Sequence, residues 1–219
     1  MLFGDSELFA VARSAKVGER NLQSGLAELR DWISSEFDVS VVHIVQDYIE
    51  LGSAEGRPRL NVILETDQDF DSWKTDAMAI RSDIHDKVVG RFKKIASGYP
   101  DLESENVHLT IDNFSDECLG RACSAFLKRH AKRITDDFKH AIWQIDGFSR
   151  ALVVFLYTDD EITRCTANGT CKEISRRCFD AVKQYDEFDY LTDDAFRLRF
   201  DSKENLDNNY KSNLFYYWR

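Results

Sequence analysis

One hydrophobic pattern occurs twice in this chain, and that recurrence constrains the fold more than any other feature. Leu26, Ile33, Phe37 and Val41 return as Leu127, Ile134, Phe138 and Ile142, each 101 positions later. Further along the spacing becomes 92: Leu60, Val62, Leu64, Thr66 and Asp67 return as Leu152, Val154, Leu156, Thr158 and Asp159. The nine-residue change falls between two strand-like segments, where a loop can alter its length without disturbing a core. The pattern predicts an internal duplication, two copies of one α+β unit with a boundary near residue 105. A chain of 219 residues is long enough for two small domains, each with its own core.

Within the first copy, Ser24 to Phe37 carries apolar residues at helical spacing. Val39 to Ile49 and Arg59 to Thr66 read as strands, and the turn-rich stretch 52–58 joins them as a hairpin. Trp73, Ala77, Ile80, Ile84, Val88, Phe92 and Ile95 predict one long helix over 72–97, followed by a strand at 107–111. The second copy repeats the order. It gives a helix over 118–134, strands at 141–145 and 152–157, a helix over 170–185 and a strand at 196–200. The aromatic tail Leu214 to Trp218 reads as a final strand or an interface element.

From Val107 onward this order is β-α-β-β-α-β, the ferredoxin-like arrangement. If Glu7 to Ala12 is also a strand, the first copy matches it. The expected fold is therefore two tandem ferredoxin-like units with antiparallel sheets, 1–105 and 106–219. Helices would cover one face of each sheet and leave the other open. Leu109-Thr110-Ile111-Asp112-Asn113-Phe114 resembles the first-strand motif of the RNA-recognition-motif family, and Arg150 to Tyr157 occupies the place of its third-strand motif. The resemblance implies the fold and not the activity. Base stacking in that family needs aromatic side chains, and the matching positions hold Thr110, Leu152 and Val154, with only Tyr157 aromatic.

Charge excludes some functions. The chain has 29 basic and 39 acidic residues, net −10, which disfavours a surface built wholly for nucleic acid. The acidity is uneven: residues 1–105 hold 12 basic against 20 acidic residues, and the remainder 17 against 19. The longest apolar run is Ala151 to Tyr157, far below membrane-spanning length. Acidic residues interrupt the first segment where a secretory signal would be apolar. A cytoplasmic protein is expected, without a membrane. The five cysteines are an odd number with no paired framework and no Cys-x-x-Cys spacing, so reduced thiols and no cofactor are expected.

Two residue sets carry candidate chemistry. Asp67 and Asp69 follow a strand, and Asp159 and Asp160 follow its counterpart. Carboxylates at strand ends can hold Mg²⁺ for phosphoryl chemistry, while the same residues also suit a turn with a helix cap, through Asp71 or Ser72. Lys128, Arg129, Lys132 and Arg133 form a basic cluster that suits a phosphate-bearing ligand or the solvated face of a helix. The leading expectation is a non-catalytic acidic protein that acts through a protein partner or self-association. A metal-dependent phosphate-processing enzyme and a nucleic-acid or nucleotide binder are the alternatives.

Overall fold

Leu60 to Leu64 form an unbroken run of fully buried residues, and so do Leu152 to Leu156. Burial at every position, rather than every second one, means that both faces of a strand are covered. These runs are the central strands of two sheets in the computed structural model, which describes residues 5–49 and 56–219. The protein is a mixed α+β chain with two three-stranded sheets and, among the described residues, ten helices. It divides into two units, Met1–Ser115 and Asp116–Arg219.

The first unit contains helices α1 (Ser6–Lys16) and α2 (Ser24–Phe37), then strands β1 (Val41–Ile49) and β2 (Arg57–Leu64). The short helix α3 (Asp67–Ser72), α4 (Ser82–Ala96) and strand β3 (His108–Asn113) complete it. β1 pairs antiparallel with β2, and β2 pairs parallel with β3. Leu26, Leu29 and Ile33 of α2 meet Ile84, Val88 and Phe92 of α4 over Leu60, Val62 and Leu64. α1 packs against β1 and buries Leu8 and Ala12, while Phe9 stacks on Phe114 with ring centroids 5.8 Å apart.

The second unit follows the same order, with α5 (Phe114–Arg129) beginning at the boundary, α6 (Ala131–Asp137), and strands β4 (Ile142–Phe148) and β5 (Ala151–Leu156). Helices α7 (Asp159–Ala167) and α8 (Thr170–Lys183) lead to strand β6 (Arg197–Ser202), which pairs parallel with β5. Phe126, Ile134, Ile174, Cys178 and Val182 pack over Leu152, Val154 and Leu156. On the opposite face Val153 and Phe155 are covered by Leu206 and Tyr217. These come from α9 (Lys203–Tyr210) and α10 (Leu214–Tyr217).

The correspondence extends to register. β1 and β4 each carry an irregularity, between Val41 and His43 and between Ile142 and Gln144, at the original 101-residue spacing. Arg59 opposes His108 and Ala151 opposes Arg197, and both parallel ladders run six residues, to Leu64–Asn113 and Leu156–Ser202.

Several expectations are corrected. Glu7 to Ala12 is helix, since Leu8 and Ala12 at i, i+4 form a buried stripe and Asp5 caps the first turn. The strand at 108–113 pairs with β2, so it belongs to the first sheet and the boundary lies after Ser115. Neither sheet has the four antiparallel strands of a ferredoxin-like unit: among the described residues each has three, with one parallel pair. The expected open face is absent at the central strands, since β2 and β5 are buried on both sides among the described residues. The long helix begins at Ser82 rather than Ser72, because a bridge between Lys74 and Ile80 and the positive φ of Met78 make a turn of the intervening residues. The segment 214–217 is a helix turn capped by Asn213, not a strand. Residues 50–55 of the expected hairpin loop lie outside the described residues.

Candidate functional site

The acidic residues at the two strand ends are occupied in the same way. Thr66 caps α3: its hydroxyl oxygen accepts the Asp69 N–H at 3.2 Å, and the Asp69 carboxylate accepts the Thr66 N–H at 3.3 Å. Thr158 and Glu161 make the matching reciprocal pair on α7, at 3.2 Å in both directions. A reciprocal cap of this kind satisfies two orphan donors at a helix start. Asp67 accepts from the Asn113 side-chain amide at 2.6 Å, and Asp159 accepts from the Ser202 hydroxyl at 2.5 Å. Both bonds tie a helix start to the end of the neighbouring parallel strand. Asp160 is exposed. The structure thus brings Asp67 to Asn113 and Asp159 to Ser202. Among the described residues no group of three or more His, Cys, Asp or Glu side chains is placed to hold a metal.

Lys128, Arg129, Lys132 and Arg133 lie where α5 ends and α6 begins, and all four are exposed. His130 separates the helices; its Nε2 and the Tyr185 hydroxyl are 2.8 Å apart, and the Arg129 guanidinium lies 5.5 Å from the Tyr185 ring centroid. None of the four cations has an ion pair among the described residues. Their neighbours on α8 differ. Arg176 is held by Glu173 and Asp180, and Arg177 by Asp137. Lys128 and Arg129 also complement the negative end of α5.

A third surface is made by aromatic residues. Tyr217 lies 5.0 Å from Phe155 and 5.0 Å from Tyr210 between ring centroids, and 5.5 Å from Trp218. Trp218 continues to Phe148 at 6.4 Å and donates its indole N–H to Asp146 at 3.0 Å. The Arg199 guanidinium covers the Tyr217 and Trp218 rings at 4.6 and 5.0 Å. Tyr217 donates its hydroxyl to Asp201 at 2.5 Å; burial, then this bond, push the phenol well above its ordinary range. The outward members stay in solvent: Phe148 is 58% exposed, Phe215 61% and Tyr216 49%. Sequence reasoning singled out the tail but missed Phe148. Only pairing of β4 with β5 and docking of α10 bring positions 148 and 218 together, and no local pattern reports that.

Cys123 and Cys178 are buried in the core of the second unit. Burial pushes the Cys123 and Cys178 thiols up to about 12, which removes the thiolate needed for nucleophilic chemistry. No family model matches the chain, and no curated protein is significantly similar to it. Among the described residues no helix is long and apolar enough to cross a membrane.

Proposed function

We propose that this is a non-catalytic, acidic, cytoplasmic binding protein that acts through protein–protein contact, with the aromatic surface of its second unit as the contact region. The exposure of Phe148, Phe215 and Tyr216 beside a fully packed aromatic network carries this reading. Large rings held in solvent cost hydrophobic free energy unless a partner covers them, and aromatic residues supply most of the anchor contacts at interfaces. The occupation of Asp67, Asp69 and Asp159 by caps and cross-strand bonds supports it over phosphate-processing chemistry.

The test is capture from native lysate across a salt series, comparing the wild type with a Phe215→Ser/Tyr216→Ser double variant. Proteins held by the wild type and released about tenfold more readily by the variant support the reading, since one kcal/mol and a half is a tenfold change. Equal retention by both proteins, or no specific retention at all, overturns it. Size-exclusion chromatography of the same pair separates a foreign partner from self-association.

A nucleic-acid or nucleotide reading rests on the four unpaired cations at the α5–α6 junction. Reversing charge at Arg129 and Arg133 abolishes binding to a single-stranded oligonucleotide if that reading holds. Unchanged binding, or none by the wild type, removes it.

We also infer that the two units derive from duplication of one ancestral unit. Shared bulge position, shared ladder register, paired helix caps and paired Asp ties support that descent.

A further inference from the structure

A groove of about 260 Å³ lies in the first unit among α1, the start of α2 and β1. Apolar residues such as Leu8, Leu22 and Leu26 line it, together with Arg20, Gln23 and His43. Its charge is the reverse of the net charge of the unit that holds it. Residues 1–115 hold 21 acidic and 12 basic residues. Yet among the described residues the groove lining contains Arg20 and no carboxylate. Arg20 has no ion pair among the described residues.

Two independent features of this groove point to an anion. The first is the N-terminus of α2, a helix of 14 residues with no side-chain cap and no acidic residue in its first turn. Its first helical bond is donated by Ala27, so the N–H groups of Ser24, Gly25 and Leu26 have no acceptor among the described residues. Free first-turn amides and the helix dipole together attract negative charge. Gly25 lets the other side of this turn pack closely, since a Cβ there would lie 2.7 Å from Leu102 Cδ1 and 2.8 Å from Tyr99 Cδ2; Gln23 and Leu26 carry the turn into the groove lining.

The second feature is His43. It is only 5% exposed, and neither ring nitrogen has a hydrogen-bond partner among the described residues; Nδ1 is enclosed outright. An unpaired polar group at such depth is costly unless something bonds to it. The strand irregularity at Val41–His43 puts it there, and the matching position in the second unit holds Gln144.

We propose that this groove binds a small oxyanion, with Arg20 and the free amides of α2 holding the charged group and the His43 ring donating a hydrogen bond to it. The apolar side of the groove takes a short hydrocarbon part, so the ligand class is a small organic phosphate or carboxylate. This site lies outside the aromatic surface and does not depend on it.

The test titrates the full-length protein with inorganic phosphate and, separately, with hexanoate at constant ionic strength, following the Gly25 and Leu26 amides and the His43 ring by NMR. Saturable shifts at these three positions, weakened at least tenfold by Arg20→Gln and by His43→Gln, are expected. Competition between the two probes marks a single oxyanion site, and the tighter probe identifies the phosphorylated or carboxylated class. Arg20 is exposed in a loop, so its variant keeps the fold even if the His43 variant does not. Shifts absent from these positions, unsaturable, or identical in Arg20→Gln overturn the proposal.

Discussion

At the scale of single residues, burial decides which side chains respond to pH. Burial, with the nearby Arg20 and Arg30 charges adding to it, holds the His43 ring down at about 4 against an ordinary 6.5. Between those values the unfolded chain binds a proton at His43 that the folded chain refuses, so stability rises with pH across that window. It is fully present above about pH 6.5 and lost as pH falls toward 4. The expected loss is at most about 3–4 kcal/mol, from roughly 1.4 kcal/mol for each unit of difference. Urea unfolding at pH 7.5 and pH 5 measures it, and His43→Gln should flatten the difference. Gly147 is a second sensitive position. A Cβ would lie 2.7 Å from Leu152 Cδ2 and 2.8 Å from the Ala151 carbonyl oxygen. Gly147→Ala should therefore destabilise by about 1–3 kcal/mol, as overpacking does, readable as a lowered melting temperature. Neither position was legible in the sequence. His43 lies in a run of β-branched residues whose alternation is broken by a bulge, and Gly147 lies within β4, two residues beyond the expected strand 141–145.

At the scale of elements, the chain was legible where one period dominates. β2, β5, α2 and α8 all follow runs or stripes of apolar residues that survive in the packing. Legibility failed where a short segment suits two patterns: Glu7 to Ala12 is a short apolar run that fits a strand as well as a helix, and it buries Leu8 and Ala12 as a helix. It also failed where turn chemistry is non-local, as between Trp73 and Ser82. Asp71 and Ser72, expected to cap the long helix, lie instead at the end of α3, and the cap of that short helix is Thr66. Thr66→Ala and Thr158→Ala should each cost about 1 kcal/mol, the usual value for an N-cap. Equal losses in the two variants, measured by chemical denaturation, would follow from their matched geometry. A loss in one alone would show that the two caps have diverged in energy.

At the scale of the whole molecule, the recurrence was visible but its boundary was not. β3 follows β2 by more than forty residues and still completes the first sheet. Parallel pairing through a crossover leaves no local mark on sequence, so the strand was assigned to the unit that follows it. Fragments test this directly. Residues 1–105 lack β3 and should show no cooperative melting, whereas residues 1–115 should melt cooperatively. The candidate sites divide along similar lines. Charge and aromatic content made the basic cluster and the tail visible, while the α2 groove depends on three elements meeting.

The two sheets receive their second cover from opposite ends of their units. α1 precedes the strands it packs on, and α9 and α10 follow β6. Domains fold as the chain emerges, N-terminal parts first. The first sheet therefore finds its lid already waiting when β3 arrives. The second must hold Val153 and Phe155 uncovered until Leu206 and Tyr217 have left the ribosome, which makes that interval the moment when this protein is most in need of a chaperone.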